Sequence, residues 1–159
     1  MNAELLSMKT GAELALAEAY AAAKAKLPGD GKVAALREAA FKQFDAAGLP
    51  SWRVEQWHYT DLRGLLRDVR PLAGAPDAAA KARAKDAGRL VGDIDVQRVV
   101  FVDGVFAPEL SDMDKLSPGL SICSMAQALA SGNPLVTANL GKVVPAEREG
   151  VIALNTALM

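Results

Sequence analysis

The 159-residue chain has one cysteine and one histidine. An intrachain disulfide framework is therefore excluded, and a conventional zinc or iron site, which draws on several thiolates or imidazoles, has too few such ligands. Aromatic residues make up only 5% of the sequence, and neither sign of charge dominates: 18 Lys and Arg face 19 Asp and Glu. That balance lacks the basic excess with which a nonspecific nucleic-acid binder meets phosphate. Charge, Gly or Pro interrupts every apolar run before it reaches membrane-spanning length. The opening MNAELLSMKTGAEL has no basic flank leading into an apolar core, so it does not read as a secretory signal. Together these features fit a reduced, cytoplasmic setting.

Hydrophobic residues make up 51% of the chain and charged residues 23%, a composition that favours a folded core over disorder. Alanine alone occurs 31 times, so much of that core is built from small side chains. Residues 1–92 carry 14 basic and 11 acidic side chains, whereas residues 93–159 carry 4 and 8. The first stretch is mainly helical in its periodicity. The second has short β-branched runs and turns, and reads as a small α/β half. The expected class is α+β: a helical hairpin and a short third helix packed with a small β component containing a hairpin.

Leu16, Tyr20, Ala23 and Leu27 form one stripe and predict a helix over 11–27, with Glu13, Glu18, Lys24 and Lys26 largely off that face. Pro28, Gly29, Asp30 and Gly31 make a turn. A second helix is predicted over 31–47, burying Val33, Leu36, Ala40 and Phe44, with Gly48 as its cap and Pro50 as its stop. Two antiparallel helices follow, and their alanine-rich faces allow close approach. Thr60 reads as the N-cap of a short third helix, with Asp61 in its first turn and Leu62, Leu65, Leu66 and Val69 on one face. Residues 71–80 read as a linker into a weak Ala/Lys/Arg helix reaching about residue 88.

Val99–Val102 and Val105–Phe106 flank Asp103-Gly104, the preferred dipeptide of a type I′ hairpin turn. Pairing Val102 with Val105 places Phe101 opposite Phe106 on a face that needs a packing partner. A polar loop over 111–120 and a short strand at Ile122–Cys123 are expected next. Ser124 then caps a helix through about Ala130, which Ser131-Gly132-Asn133-Pro134 ends. The final GVIALNTALM reads as strand-capable. It either tucks into the core or marks where a longer protein enters its next domain.

The segment SWRVEQWHYTDLRGLL, residues 51–66, resembles a stretch near the start of the SufD family of scaffold subunits in the bacterial SUF iron–sulfur assembly machinery. The matching positions are Leu49, Pro50, Arg53, Glu55, Trp57, Tyr59, Thr60, Asp61 and Leu62. The likeness continues through VFVDGVFAPELS at 100–111 and ALNTALM at 153–159, in the same order and at similar spacing. It implies a noncatalytic scaffold domain with no cofactor of its own. In this family a long β-helix and a carboxy-terminal helical region follow, and these meet a SufB-like scaffold and a SufC-like ATPase. Both regions are absent from the chain, which is therefore expected to be an amino-terminal fragment, with residues 93–159 leading toward the missing β-helix. An independent interaction module without SUF partners is the competing reading.

No residue set is carried over as catalytic, cofactor-binding or metal-binding. The family-motif residues Pro50, Arg53, Glu55, Trp57, Tyr59, Thr60, Asp61 and Leu62 are expected to be structural, with Trp57 and Tyr59 supplying apolar area. Arg53 and Glu55 share a face only if their segment is extended. His58 has Glu55 as its nearest polar partner in sequence, and a structural or surface role is the simpler reading. Cys123, between Ile122 and Ser124, is expected to be a small buried hydrophobe rather than a cluster ligand. Asp103-Gly104 is explained by its turn. Asp112 and Asp114 lack the ordered oxygen donors of a calcium loop, because Lys115 follows them. Gly29, Gly31 and Lys32 lack the full pattern of a phosphate loop. Lys81, Arg83, Lys85 and Arg89 form a modest basic patch, read as a solvated helix face. Trp52, Trp57 and Tyr59 are read as core packing rather than base stacking, since no nucleic-acid module surrounds them.

Overall fold

A computed structural model of the chain describes residues 8–87, 96–144 and 149–159. They form an α+β fold in two compact units, one comprising Met1–Pro71 with Met125–Met159 and the other Leu72–Ser124. These units have different boundaries from the compositional halves at 1–92 and 93–159.

In the first unit, α1 spans Gly11–Ala23 and α2 spans Gly31–Ala47. Helix α1 stops four residues short of the predicted Leu27, ahead of the Pro28-Gly29 turn. Its first turn is closed by a capping box between Thr10 and Glu13. Asp30 caps α2 by accepting from the N–H groups of Lys32 and Val33 at 2.9 and 3.0 Å. Of the predicted α2 stripe, Val33, Ala40 and Phe44 are buried and Leu36 is half-buried.

The last segment corrects the strand expectation. Gly150–Leu158 is a helix, α7, capped by the Glu149 side chain. Its buried positions, Gly150, Ala153 and Ala157, recur at helical spacing. The close helix–helix contact of this unit is α2 with α7, not α1 with α2. A Cβ on Gly150 would collide with the Gly48 carbonyl oxygen, and Ala153 and Ala157 are fully excluded from solvent. Small side chains therefore set the spacing here. Larger side chains occupy the α1 side of α2, where the Tyr20 and Phe41 rings stack at 4.2 Å and Phe44 is 2% exposed.

Among the described residues of this unit, two charged side chains are buried. Glu13, placed off the apolar stripe by its sequence position, is 4% exposed, and Arg37, which the sequence reading missed, is 3% exposed. The Arg37 guanidinium donates to the main-chain oxygen of Met159 from Nε at 3.0 Å and from Nη2 at 2.6 Å. It thereby meets a main-chain acceptor at the C-cap of α7. Burial lowers the Arg37 pKa, partly opposed by nearby Tyr20. Burial raises that of Tyr20, with Glu38 adding to the rise and Arg37 opposing it.

The third helix, α3, is the single turn Leu62–Leu65. Its N-cap is Asp61, one residue after the predicted Thr60, and the Asp61 carboxylate accepts from the Gly64 N–H at 3.1 Å. Leu62, Leu66 and Val69 pack against the core around Leu16, Phe44 and Leu49, whereas Leu65 is exposed. Two short helices follow Ser124: α5 at Met125–Ala130, as expected, and α6 at Pro134–Asn139. The residues read only as a terminator begin α6, since Asn133 caps it and Pro134 takes the first position, where a missing N–H costs nothing.

In the second unit, α4 spans Ala78–Asp86 with Asp77 as its N-cap, so the expected linker becomes helix at its end. The β-hairpin has the predicted register, with β1 at Phe101–Val102, β2 at Val105–Phe106, and Phe101 opposite Phe106. Asp103 and Gly104 both have positive φ, 50° and 80°, as a type I′ turn requires. The packed face is the other one. Val102 is buried with Ala80 of α4 and Ala107, while Phe101 is exposed, its ring 5.6 Å from that of Phe106. Single 3-10 turns at Pro108–Leu110 and Met113–Lys115 follow, and Ile122–Cys123 is not a strand.

Candidate functional site

The family-motif segment is a loop closed at its base. The Arg63 N–H donates to the Pro50 carbonyl at 3.0 Å, bringing the two ends together across twelve intervening residues. Buried Leu49 and Pro50 anchor the entry, and half-buried Leu62 anchors the exit. Along the loop, three turn bonds follow one another at intervals of three residues: Val54 N–H to Ser51, Trp57 N–H to Val54 and Thr60 N–H to Trp57, at 2.9, 2.8 and 2.8 Å. The excursion thus has a regular internal conformation although none of residues 51–61 is fully buried.

Glu13 holds the base. Its carboxylate accepts from the Thr10 N–H at 2.6 Å and from the Leu49 N–H at 2.8 Å, and lies 3.8 Å from the Arg63 guanidinium. Arg63 also donates to the main-chain oxygen of Met8. Gly48 is required beside this cluster: its φ is 69°, and a Cβ there would stand 2.6 Å from a Glu13 carboxylate oxygen. Glu13 is the site residue that sequence reasoning missed. The available signal was Thr10 three residues before it, the pattern of a capping box.

The sequence-predicted residues divide between base and tip. Pro50, Asp61 and Leu62 lie at the base. Tyr59 is 97% exposed, so the expectation that it supplies buried apolar area fails, and Trp57 is only half-buried. Trp52 is also exposed, with the Arg53 guanidinium over its ring at 5.6 Å. Glu55 and His58 are related by a backbone bond, His58 N–H to Glu55 carbonyl at 3.2 Å, and the His58 ring meets Tyr59 edge-on. This geometry joins no acid to a base.

The remaining candidates fall in ordinary structural positions. Cys123 is exposed rather than buried. Asp112 accepts from the Arg98 N–H at 2.9 Å, closing a loop. Gly29, Gly31 and Lys32 surround the α2 N-terminus, where the Asp30 carboxylate already occupies the anion position. Lys81 pairs with Glu109 at 2.6 Å, Arg83 and Lys85 lie in the last turn of α4, and Arg89 is outside the described residues. An open apolar groove of about 750 Å³ runs along α5, α6 and α7, between Met125, Leu135, Val143, Ile152 and Met159, and no titratable side chain lines it among the described residues. Among those residues, no cluster of three His, Cys, Asp or Glu could hold a metal ion, and no helix is long and apolar enough to cross a membrane.

The family model for the SufBD protein N-terminal region matches residues 13–159, from the Glu13 clasp to the end of α7. The chain belongs to this family. A SufBD N-terminal domain is a noncatalytic, scaffold-type module of the iron–sulfur assembly proteins, shared by SufB and SufD. No curated protein and no solved structure matches the chain. In this SufBD N-terminal domain, Glu13 and Arg63 meet at the base of the loop.

Proposed function

We propose that this chain serves as the amino-terminal scaffold domain of a SufD-type protein in cytoplasmic iron–sulfur cluster assembly. The observation that carries the choice of SufD is the resemblance of the segment from Leu49 to Leu62 to that family. The closed loop supports a structural role for its base, Pro50, Asp61 and Leu62, and leaves Arg53, Glu55 and Tyr59 facing solvent with Thr60. The domain acts by binding and positioning. On this reading residues 93–159 lead toward a β-helix domain, and the intact protein meets a SufB-like scaffold and a SufC-like ATPase.

The test is affinity purification of the native gene product from its source cells, with intact mass measured alongside. The expected result is a product well above 16.7 kDa that carries SufB-like and SufC-like proteins with it. A native product of this size, with neither protein attached, overturns the SufD reading and leaves an independent interaction module.

A further inference from the structure

We infer that residues 51–60 form a flap that swings as one preformed unit when the Glu13–Arg63 clasp is released, without unfolding of the α2–α7 core. Three observations lead there. The loop contributes no fully buried residue: of residues 51–60 only Ser51 and Trp57 are partly buried, so the apolar burial that resists movement is that of the Trp57 ring alone. Its conformation is held internally by the three linked turn bonds from Ser51 to Thr60, none of which reaches the rest of the unit. Its polar attachment among the described residues is concentrated at the base: the Arg63 N–H on Pro50, the Arg63 guanidinium beside Glu13 and on Met8, and the Leu49 N–H on Glu13.

A segment that is rigid within itself and fastened at one edge moves as a body before it melts. The exposed Trp52 and Tyr59 ride on that body, so its position sets how they are presented. Glu13 and Arg63 are positioning residues for the loop. This inference does not depend on whether the protein is of the SufD type.

The experiment is residue-resolved amide hydrogen exchange on the full chain, comparing the parent with Arg63→Met and, as a second variant, Glu13→Gln. The amide of residue 63, which reports the closed base, should exchange about tenfold faster in both. The amides of Trp57 and Thr60 should keep their parent rates, because the turns stay intact. The amides of Phe44 and Ala153 should keep theirs, because the core does. An unchanged rate at residue 63 overturns the inference. So does acceleration at Trp57 and Thr60, which would mean that the loop melts, or at Phe44 and Ala153, which would mean that the clasp belongs to global unfolding. If Glu13→Gln fails to fold, Arg63→Met alone decides, since its site is only half-buried.

Discussion

Arg37 and Met159 are 122 residues apart in sequence, and two hydrogen bonds from the guanidinium to the Met159 main-chain oxygen join them. The contact places a buried cation at the carboxyl end of α7, where the helix dipole is negative. At the opposite end of the same helix pair, Gly150 meets Gly48. These two contacts define the antiparallel seating of α7 on α2.

Arg37→Met keeps the apolar stem of the side chain and removes the donors. The Met159 oxygen then loses its cap inside a tight contact, and a loss of about 1–3 kcal/mol is expected. Urea unfolding followed by circular dichroism measures it. A midpoint equal to the parent's would show that solvent replaces the guanidinium.

Gly150→Ala and Gly11→Ala make the same chemical change at two helix starts. At Gly150 the new methyl meets the Gly48 carbonyl, whereas at Gly11 nothing lies within 4 Å. The first should cost about 1–3 kcal/mol through overpacking. The second should be neutral or stabilise by up to about 1 kcal/mol. Thermal melts of the pair give the comparison, and equal melting temperatures would refute the close α2–α7 contact.

Tyr59→Ala and Leu62→Ala separate the loop tip from its base. Tyr59 is 97% exposed, so its truncation should change stability by no more than about 0.5 kcal/mol. Leu62 is half-buried against the core, and its truncation should cost clearly more, about 1–3 kcal/mol. Chemical denaturation of the two variants tests this ordering.

In the second unit, the Glu109 pKa is lowered, first by its hydrogen bond with Lys81 and then by a backbone hydrogen bond; burial opposes this, and the Lys81 charge adds a further lowering. A carboxyl group lowered in the folded state contributes stability above its unfolded pKa and loses it as pH falls through the folded value. The contribution is therefore complete at neutral pH and disappears on acidification below the ordinary glutamate value of 4.5. Carboxyl-carbon NMR titration should place Glu109 below that value, and Lys81→Ala should move it upward. An identical titration in the variant would remove Lys81 as the cause.

Features that depend on neighbours in sequence were legible. Asp103-Gly104 specifies the hairpin and its register because positive φ at both positions suits few other dipeptides. The span of α2 follows from an apolar period bounded by Asp30 and Gly48, a capping acceptor at one end and a residue tolerant of positive φ at the other. The loop motif was located by its residues, but its aromatic side chains were assigned to the interior. Large apolar rings are usually buried, and nothing within 51–60 signals that the turns aim Trp52 and Tyr59 outward. Residues 150–158 read as a strand because Val, Ile and Leu near one another satisfy either period over so short a stretch.

By itself, the sequence determined the α2 boundaries, the hairpin turn, the scarcity of metal ligands and the family likeness, all of which rest on residue identity or on bonds spanning a few positions. The tertiary structure alone decided that Glu13 and Arg37 are interior, that the hairpin packs through Val102 rather than its phenylalanines, and that the last segment is a helix seated on α2. The reason is distance along the chain. The capping box with Thr10 announces only the local half of the Glu13 contacts; the Leu49 N–H that engages Glu13 is 36 residues away and the oxygen that engages Arg37 is 122 away, and no local pattern announces those partners.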